Sequence, residues 1–183
     1  ILDSLKAHPE WSDQIVSFLW ALDVTDIFRI QVIRNDKGLE TVGISHCFVN
    51  AKGTEAYGQT FMNESLSLRR LILIAVSFFE AFSKEKIIVI DDFGQLLHPY
   101  VLTHIVEIFH ANDMESQLIV VDCNPALLQK DLMRKDSIWF AEKGEESSTE
   151  FVSLSDFRGI KAKQSIYDGY LQGVFGALPI ESD

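Results

Sequence analysis

The chain has 183 residues, of which 47% are apolar and 23% are charged, so it can form one packed domain and is not a disordered chain. Its 27 acidic side chains outnumber 16 Lys and Arg, and the formal net charge of −11 argues against nucleic-acid binding through this chain alone. Two cysteines, Cys47 and Cys123, exclude a disulfide framework, and the longest apolar run covers about half a membrane span, so we expect a cytoplasmic protein without a membrane segment.

The first 23 residues predict two short helices. Their helical periodicity is interrupted near His8 and Pro9, and Ser12 is placed to cap the second helix. We expect the apolar face of this second helix to be buried. It consists of Ile15, Val16, Phe18, Leu19, Trp20 and Leu22.

A β-hairpin is predicted next. Residues 27–33 are rich in β-branched side chains, Gly38 closes a turn-forming stretch, and residues 41–49 return to the strand pattern. Residues 50–63 contain two glycines and many polar side chains, which is typical of a loop.

The central part predicts a buried helix and a βαβ unit. Residues 65–82 are apolar on nearly all sides of a helix, so we expect this helix inside the fold. Residues 87–90 and 118–121 are apolar strands around a helix at 99–111, which predicts parallel strands, adjacent or one strand apart, in the middle of a sheet. Ligands bind beyond the carboxyl ends of such strands. Three acids follow these ends: Asp91, Asp92 and Asp122.

The last third predicts a helix at 125–133, strands at 137–142 and 150–154 joined by an acidic turn at 144–148, and a short helix at 165–172. A polar stretch precedes this helix, and a Gly-rich, aromatic segment follows it. Taken together, the elements predict an α/β fold with a largely parallel sheet flanked by helices and a β-hairpin near the N-terminus.

Two local patterns suit chemistry, and each has a purely structural alternative. Asp91 offers carboxylate oxygens for Mg²⁺ at a strand end, and Asp92 can polarise an attacking water, but an acidic pair also simply begins a turn. The hydroxyl of Ser65 and the free N–H groups at a helix N-terminus can form an anion site, but taken by itself this stretch is better explained by Ser65 as an ordinary N-cap. The residues alone leave these alternatives open.

The order of these features resembles the C-terminal half of an ABC-type ATPase. More narrowly, it is similar to the bacterial stand-alone ATPases related to the SMC and OLD ATPases, many of them found in phage-defence loci. The resemblance covers residues 60–180. Its motifs are Asn63–Arg70, Ile87–Asp92, Leu97–Pro99 and Gln117–Val121, followed by a characteristic ending in Asp136–Lys143, Ser153–Phe157 and Tyr170–Pro179.

The resemblance implies roles for individual residues. Ser65 matches the serine of the ABC signature motif, which contacts the γ-phosphate of ATP held by the opposite subunit. Asp91 matches the Walker B aspartate, which positions Mg²⁺, and Asp92 occupies the place of the glutamate that activates water. Gln95 to His98 match the D-loop, which crosses the dimer interface.

Three positions depart from the family pattern. Ser67 replaces the signature glycine, so we expect its side chain to crowd the backbone–phosphate contact. Asp92 is one methylene shorter than the expected glutamate. Cys123 stands where the switch histidine is expected, and a neutral thiol cannot replace an imidazole as a phosphate donor. A nucleophilic role for Cys123 is a rival interpretation, but no base is evident beside it.

The P-loop motif Gly-x-x-x-x-Gly-Lys-Ser/Thr is absent from the sequence. In the family it lies in an N-terminal lobe, ahead of a helical insertion. We therefore expect residues 1–49 to be the end of that insertion with its returning hairpin, and 50–183 to be the signature and Walker B part of one domain. Since the chain begins at Ile1, we expect a longer ATPase whose P-loop half is needed for the cofactors ATP and Mg²⁺.

By resemblance, the complete protein dimerises on ATP through its signature and D-loop faces. It then controls an effector such as a nuclease in anti-phage defence, and its hydrolysis is slow. This fragment alone is expected to be inactive. Whether the full complex binds nucleic acid stays open, but we expect no such binding through this acidic fragment. The alternative is a non-hydrolysing scaffold or regulatory subunit. A phospho-receiver domain, which also has an acid pair after a strand, is disfavoured by spacing, because Asp122 ends the very next strand.

Overall fold

The computed structural model describes residues 1–129, 132–144, 148–158 and 165–178. The helices in these ranges are α1 (Leu2–Ala7), α2 (Trp11–Ala21), α3 (Leu66–Lys84), α4 (Pro99–His110) and α5 (Ile166–Leu171). The strands are β1 (Ile27–Arg34), β2 (Glu40–Asn50), β3 (Gly53–Thr60), β4 (Ile87–Ile90), β5 (Gln117–Val120), β6 (Trp139–Lys143) and β7 (Thr149–Ser153). Most of the predicted acidic turn and of the polar stretch before α5 lies outside the described residues.

The two predicted N-terminal helices are confirmed, but the predicted cap is wrong. The Trp11 and Ser12 N–H groups donate to the carbonyls of His8 and Pro9, so Ser12 lies inside the first turn of α2, and the N-cap is Glu10. The predicted apolar face is buried except for Trp20, which is 52% exposed. Its indole N–H donates to the Ile27 carbonyl at 2.6 Å, which holds the polar edge of the ring near the surface.

The predicted hairpin is confirmed, and it extends into a three-stranded antiparallel sheet in the order β1-β2-β3. The prediction of a loop over residues 50–63 is wrong, because β3 pairs with β2 along its whole length. Most of β3 is exposed, so its side chains show no alternation of apolar and polar residues. An edge strand of this kind is specified by backbone pairing, which the sequence pattern does not reveal.

The predicted βαβ unit is confirmed as β4-α4-β5, with β4 and β5 parallel and Ile87 opposite Gln117. The prediction of a largely parallel sheet is wrong for the described residues, because the other strands pair antiparallel. One face of the β4–β5 pair packs on the core. The other face is bare, and its apolar residues are 49–65% exposed: Ile87, Val89, Ile119 and Val121.

One main core joins α1, α2, β1, β2, α3 and α4. Its fully buried side chains include Ile15, Leu19, Ile27, Ile44, Ile72, Phe78, Phe93, Leu102 and Ile105. No helix in the described part of the chain combines the length and the apolarity that a membrane crossing requires.

A second, smaller core forms under the C-terminal hairpin β6–β7. The Phe140 ring stacks on Phe175 at a centroid distance of 5.3 Å and on Tyr170 at 5.7 Å. Gly169 leaves the room that this stack needs, because a Cβ there would lie 2.8 Å from the Phe175 ring. The predicted helix at 125–133 is wrong in its described part, where only a 3-10 turn over Pro125–Leu128 forms.

Candidate functional site

The first turn of α3 is capped by Ser65. Its Oγ accepts a hydrogen bond from the Leu68 N–H at 3.2 Å, and its carbonyl accepts the Arg69 N–H at 3.0 Å. The N-cap interpretation is therefore confirmed. Ser65 is exposed. A hydroxyl that accepts a hydrogen bond can still donate its own hydrogen, so the Ser65 O–H could donate to an anion.

A tight turn over residues 91–96 follows β4. Asp92 and Leu96 adopt left-handed backbone conformations, with φ of +49° and +66°. Phe93 is fully buried and anchors the turn in the main core, whereas Asp91 and Asp92 are exposed. Asp91 Oδ1 accepts the Asp92 N–H at 3.0 Å. The turn thus presents both predicted carboxylates to solvent from a backbone that is held in place.

Asp122 joins the end of β5 to this turn. Its Oδ2 accepts a short hydrogen bond from the Gly94 N–H, and its Oδ1 accepts the Asn124 N–H at 2.9 Å. A Cβ at Gly94 would lie 2.6 Å from that Oδ2, so the contact requires glycine. Cys123 comes next in the chain and is exposed. The third acid at the strand ends therefore holds the two loops together, and Cys123 follows it in the loop after β5.

The start of α3 is tied to the same turn by two side chains. Ser67 Oγ donates to the Leu96 carbonyl at 2.8 Å. The Arg70 guanidinium donates to the carbonyls of Asp91 and Asp92 at 3.1 and 2.6 Å. The Ser67 hydroxyl is thus hydrogen-bonded to the turn. From the sequence, we expected this side chain to crowd a phosphate and did not predict the contact with Leu96.

Gln95 and His98 both lie at exposed positions between the turn and α4. The Gln95 N–H donates to the Asp92 carbonyl at 2.9 Å. His98 is the N-cap of α4, and its Nδ1 accepts the Tyr100 N–H at 3.2 Å, next to Pro99 in the first turn. Their backbone is therefore ordered by local hydrogen bonds, and the segment is accessible.

The structure gathers most of the predicted site residues at one edge. Asp91, Asp92, Gln95 and Cys123 lie on the two loops that follow β4 and β5, and Ser67 reaches the same turn from α3. Sequence reasoning missed Arg70, Phe93 and Gly94 as parts of this edge. The Phe-Gly pair that follows the two acids was a usable signal, since a buried anchor and a residue without Cβ are what a tight turn requires.

The edge suits a hard cation only in part. Asp91 and Asp92 supply exposed carboxylate oxygens, the donor type that Mg²⁺ prefers. Within the described ranges, however, no group of three or more His, Cys, Asp or Glu side chains is arranged to hold a metal ion. A Mg²⁺ ion at this edge would need further ligands, such as water and the oxygens of a bound phosphate.

We compared the chain with known proteins by sequence and by structure. No family model and no curated protein matches the sequence. A chain solved in a study of "ATP-driven dimerization and DNA stimulated activation of SMC ATPases" aligns with a TM-score of 0.57 and 13% identity, over 81% of this chain and 86% of that chain.

The Smc head domain with a coiled coil and joint from Pyrococcus yayanosii aligns with a TM-score of 0.54 and 13% identity. The alignment covers 81% of this chain and 27% of that chain, so this chain spans about a quarter of its length. The two likenesses show that the mixed α/β fold resembles that of SMC ATPase head domains.

Proposed function

We propose that the chain is the signature and Walker B part of an SMC-like ATPase head that binds ATP between two subunits. The observation that carries this proposal is the joining of three segments at one edge. The start of α3, the turn after β4 and the loop after β5 are connected by the hydrogen bonds of Ser67, Arg70 and Asp122. In an SMC-like head, these are the segments that face nucleotide.

The proposed roles follow the sequence resemblance. Ser65, at the N-cap of α3, donates a hydrogen bond from its hydroxyl to the γ-phosphate of ATP that is held by the opposite subunit. Asp91 holds Mg²⁺ through water, and Asp92 takes the position of the general base. Gln95 and His98 belong to the D-loop face, which together with the signature face forms a homo-oligomer.

The bare face of the β4–β5 pair is proposed to be covered by a P-loop segment. Parallel strands are ordinarily covered on both faces, and an exposed apolar patch of this kind marks an interaction site. Its four apolar side chains are 49–65% exposed here, and the sequence contains no P-loop. A P-loop segment that lies outside this sequence and packs on this face would account for both observations. Under this proposal, residues 1–49 are the end of the helical insertion with its returning hairpin, and 50–183 are the signature, Walker B and C-terminal part of the same domain.

We further propose that hydrolysis is slow and that ATP mainly holds two subunits together. The Cys123 thiol replaces an imidazole donor, and the Asp92 carboxylate is one methylene short of the expected base. Each loss of this kind typically costs about 10² in rate. The same departures favour the second candidate, a non-hydrolysing scaffold, and a turnover measurement on the complete protein distinguishes the two.

The wider setting of the proposal comes from the sequence resemblance. Under this proposal, the complete protein is a cytoplasmic dimer that controls an effector protein such as a nuclease in anti-phage defence. Because this chain carries a net charge of −11, nucleic acid would be contacted by other parts of the complex.

ATP-dependent dimerisation tests the proposal. The chain would be assembled with the segment that carries the P-loop lysine, and its mass measured by light scattering with and without ATP and Mg²⁺. We expect ATP to double the mass, Asp91→Ala to abolish the change, and Asp113→Ala to leave it intact. Asp113 is an exposed aspartate before β5, away from the carboxyl ends of the strands. A mass that ignores ATP, or an Asp91→Ala protein that dimerises normally, contradicts the proposal.

A further inference from the structure

A buried histidine lies between two carboxylates outside the proposed site. His46, on β2, is 4% exposed. Its Nδ1 is 2.8 Å from Asp26 Oδ2, and its Nε2 is 2.9 Å from Glu64 Oε1. Tyr57, its register partner on β3, stacks on the imidazole at a centroid distance of 4.8 Å and an angle of 4°. The ring is therefore enclosed on its face and at both nitrogens.

This geometry fits the imidazolium form. An ionised carboxylate only accepts hydrogen bonds, so both ring nitrogens of His46 must carry protons to satisfy Asp26 and Glu64 together. Burial by itself lowers the pKa of His46, but the hydrogen bonds and charges of Asp26 and Glu64 outweigh it and raise the pKa above its usual value of 6.5. The neutral ring, which has a single N–H, would lose one of the two bonds.

The bridge connects three segments that are distant in sequence. Asp26 lies just before β1, and its carbonyl also accepts the Cys47 N–H at 2.7 Å, beside His46 on β2. Glu64 is the residue immediately before the N-cap Ser65, and its side chain is 4% exposed. The imidazole therefore links the N-terminal sheet directly to the point where α3 begins.

Glu64 has little access to water as an alternative partner. A buried carboxylate that loses its charged donor is costly, so the chain before α3 would be expected to move until Glu64 reaches solvent. Such a movement would pull on Ser65, its neighbour in the chain. The first turn of α3 depends on that residue, because Leu68 and Arg69 donate to its Oγ and carbonyl.

We propose that His46 is a positioning residue, which as an imidazolium held between Asp26 and Glu64 fixes the start of α3 and thereby the placement of Ser65. The consequence for ATP-dependent dimerisation rests on the proposed function, whereas the consequence for α3 does not. The bridge is complete below pH 6.5 and is lost as the pH rises through the raised pKa of His46.

Hydrogen exchange in the full chain, without nucleotide, tests the structural part. We expect His46→Gln to accelerate exchange of the Leu68 and Arg69 amides by about tenfold or more, and to leave the amides of α4 unchanged. The control is His104→Gln, which alters a partly exposed histidine paired with Glu107 on its own helix. Should His46→Gln fail to fold, the unmodified chain serves instead, with exchange followed between pH 5 and 9.

In the unmodified chain, exchange at Leu68 and Arg69 should rise with pH more steeply than exchange in α4. Nitrogen-15 spectra of the imidazole should show both ring nitrogens protonated at pH 6. A neutral His46 at pH 6, or exchange at the start of α3 that follows α4 at every pH, overturns the proposal.

The dimerisation assay separates the two proposals. If the unmodified assembly dimerises on ATP, His46→Gln should weaken dimerisation at least about tenfold at pH 6, and the effect should shrink at pH 9, where the bridge is already broken. An unchanged ATP dependence in His46→Gln at pH 6 overturns the positioning role. If no assembly dimerises at all but exchange behaves as described, the role at α3 stands and the proposed function falls.

Discussion

The N-terminal sheet and the β4–β5 pair differ in the side chains that their uncovered faces expose. The inner face of the N-terminal sheet, with Ile27 and Ile44, is sealed by the main core. The β4–β5 pair also packs one face on this core, but its other face is apolar, and Ile87 and Val89 there are 61% and 65% exposed. The exposed side chains of the N-terminal sheet include polar residues such as Arg29, Gln31 and Glu55. The difference teaches that the exposed apolar face of the β4–β5 pair, which adjoins the candidate site, is the surface that favours a covering partner.

The largest expected effect compares matched isoleucines in the two regions. Ile44→Ala removes a 1% exposed side chain from the N-terminal sheet and should lower the free energy of unfolding by about 2–5 kcal/mol. Ile87→Ala on the bare face should cost less than about 1 kcal/mol in this chain alone. Urea denaturation of both variants measures the difference. Equal costs would show that the β4–β5 face is already covered, and the comparison would fail.

Substitutions on the exposed face of the β4–β5 pair should weaken its association with the P-loop segment. In an assembly with the P-loop segment, Val89→Asp should reduce association by about 10² or more, because it buries an unpaired carboxylate. Pull-down of the P-loop segment at graded concentrations gives the affinity. Glu55→Asp, on exposed β3, is a control that should change nothing. Normal association of Val89→Asp would place the P-loop segment elsewhere.

Restoring the glutamate and histidine that the family resemblance implies tests whether Asp92 and Cys123 limit ATP hydrolysis. In the complete protein, the double change Asp92→Glu and Cys123→His should raise ATP turnover by about 10² or more, because it returns a base and a donor to the reacting phosphate. Steady-state phosphate release provides the rate. A complete protein that already turns over at about 10 s⁻¹, the usual median, would show that these departures do not limit hydrolysis.

A smaller effect is expected from matched glycines. Gly94→Ala places a Cβ 2.6 Å from Asp122 Oδ2 and 2.9 Å from Leu102 Cδ2, which should cost about 1–3 kcal/mol of stability. Gly58→Ala, on β3, meets only ordinary contacts, the nearest at 3.6 Å, and should change stability by less than about 1 kcal/mol. Thermal unfolding of the two proteins checks the contrast. A tolerated Gly94→Ala would mean that the turn can shift away from β5.

Much of the fold around the site was predictable because its signals are local. The apolar runs of β4 and β5 and Pro99 at the start of α4 each specify their own element. The positions of Asp91 and Asp92 follow directly from the end of a strand. This explains why the positions of these two carboxylates at the carboxyl edge of the parallel pair could be predicted.

The remaining features depend on contacts between distant residues. β3 is defined by pairing with β2, and its exposed side chains carry no periodic signal. Ser67 reaches Leu96, which is 29 positions away in sequence, and His46 reaches Glu64, which is 18 positions away. Neither side chain has a sequence pattern that names its partner. Such contacts follow from the packing of α3 against the turn and the sheet.

Calorimetric titration with ATP and Mg²⁺ tests the central claim most directly. The claim is that the site of this chain is one side of a nucleotide site whose P-loop side lies on another segment. The 183-residue chain alone should show no binding at micromolar ATP, and addition of the P-loop segment should produce it, since a P-loop supplies most phosphate contacts. Micromolar binding of ATP by the isolated chain would contradict the account.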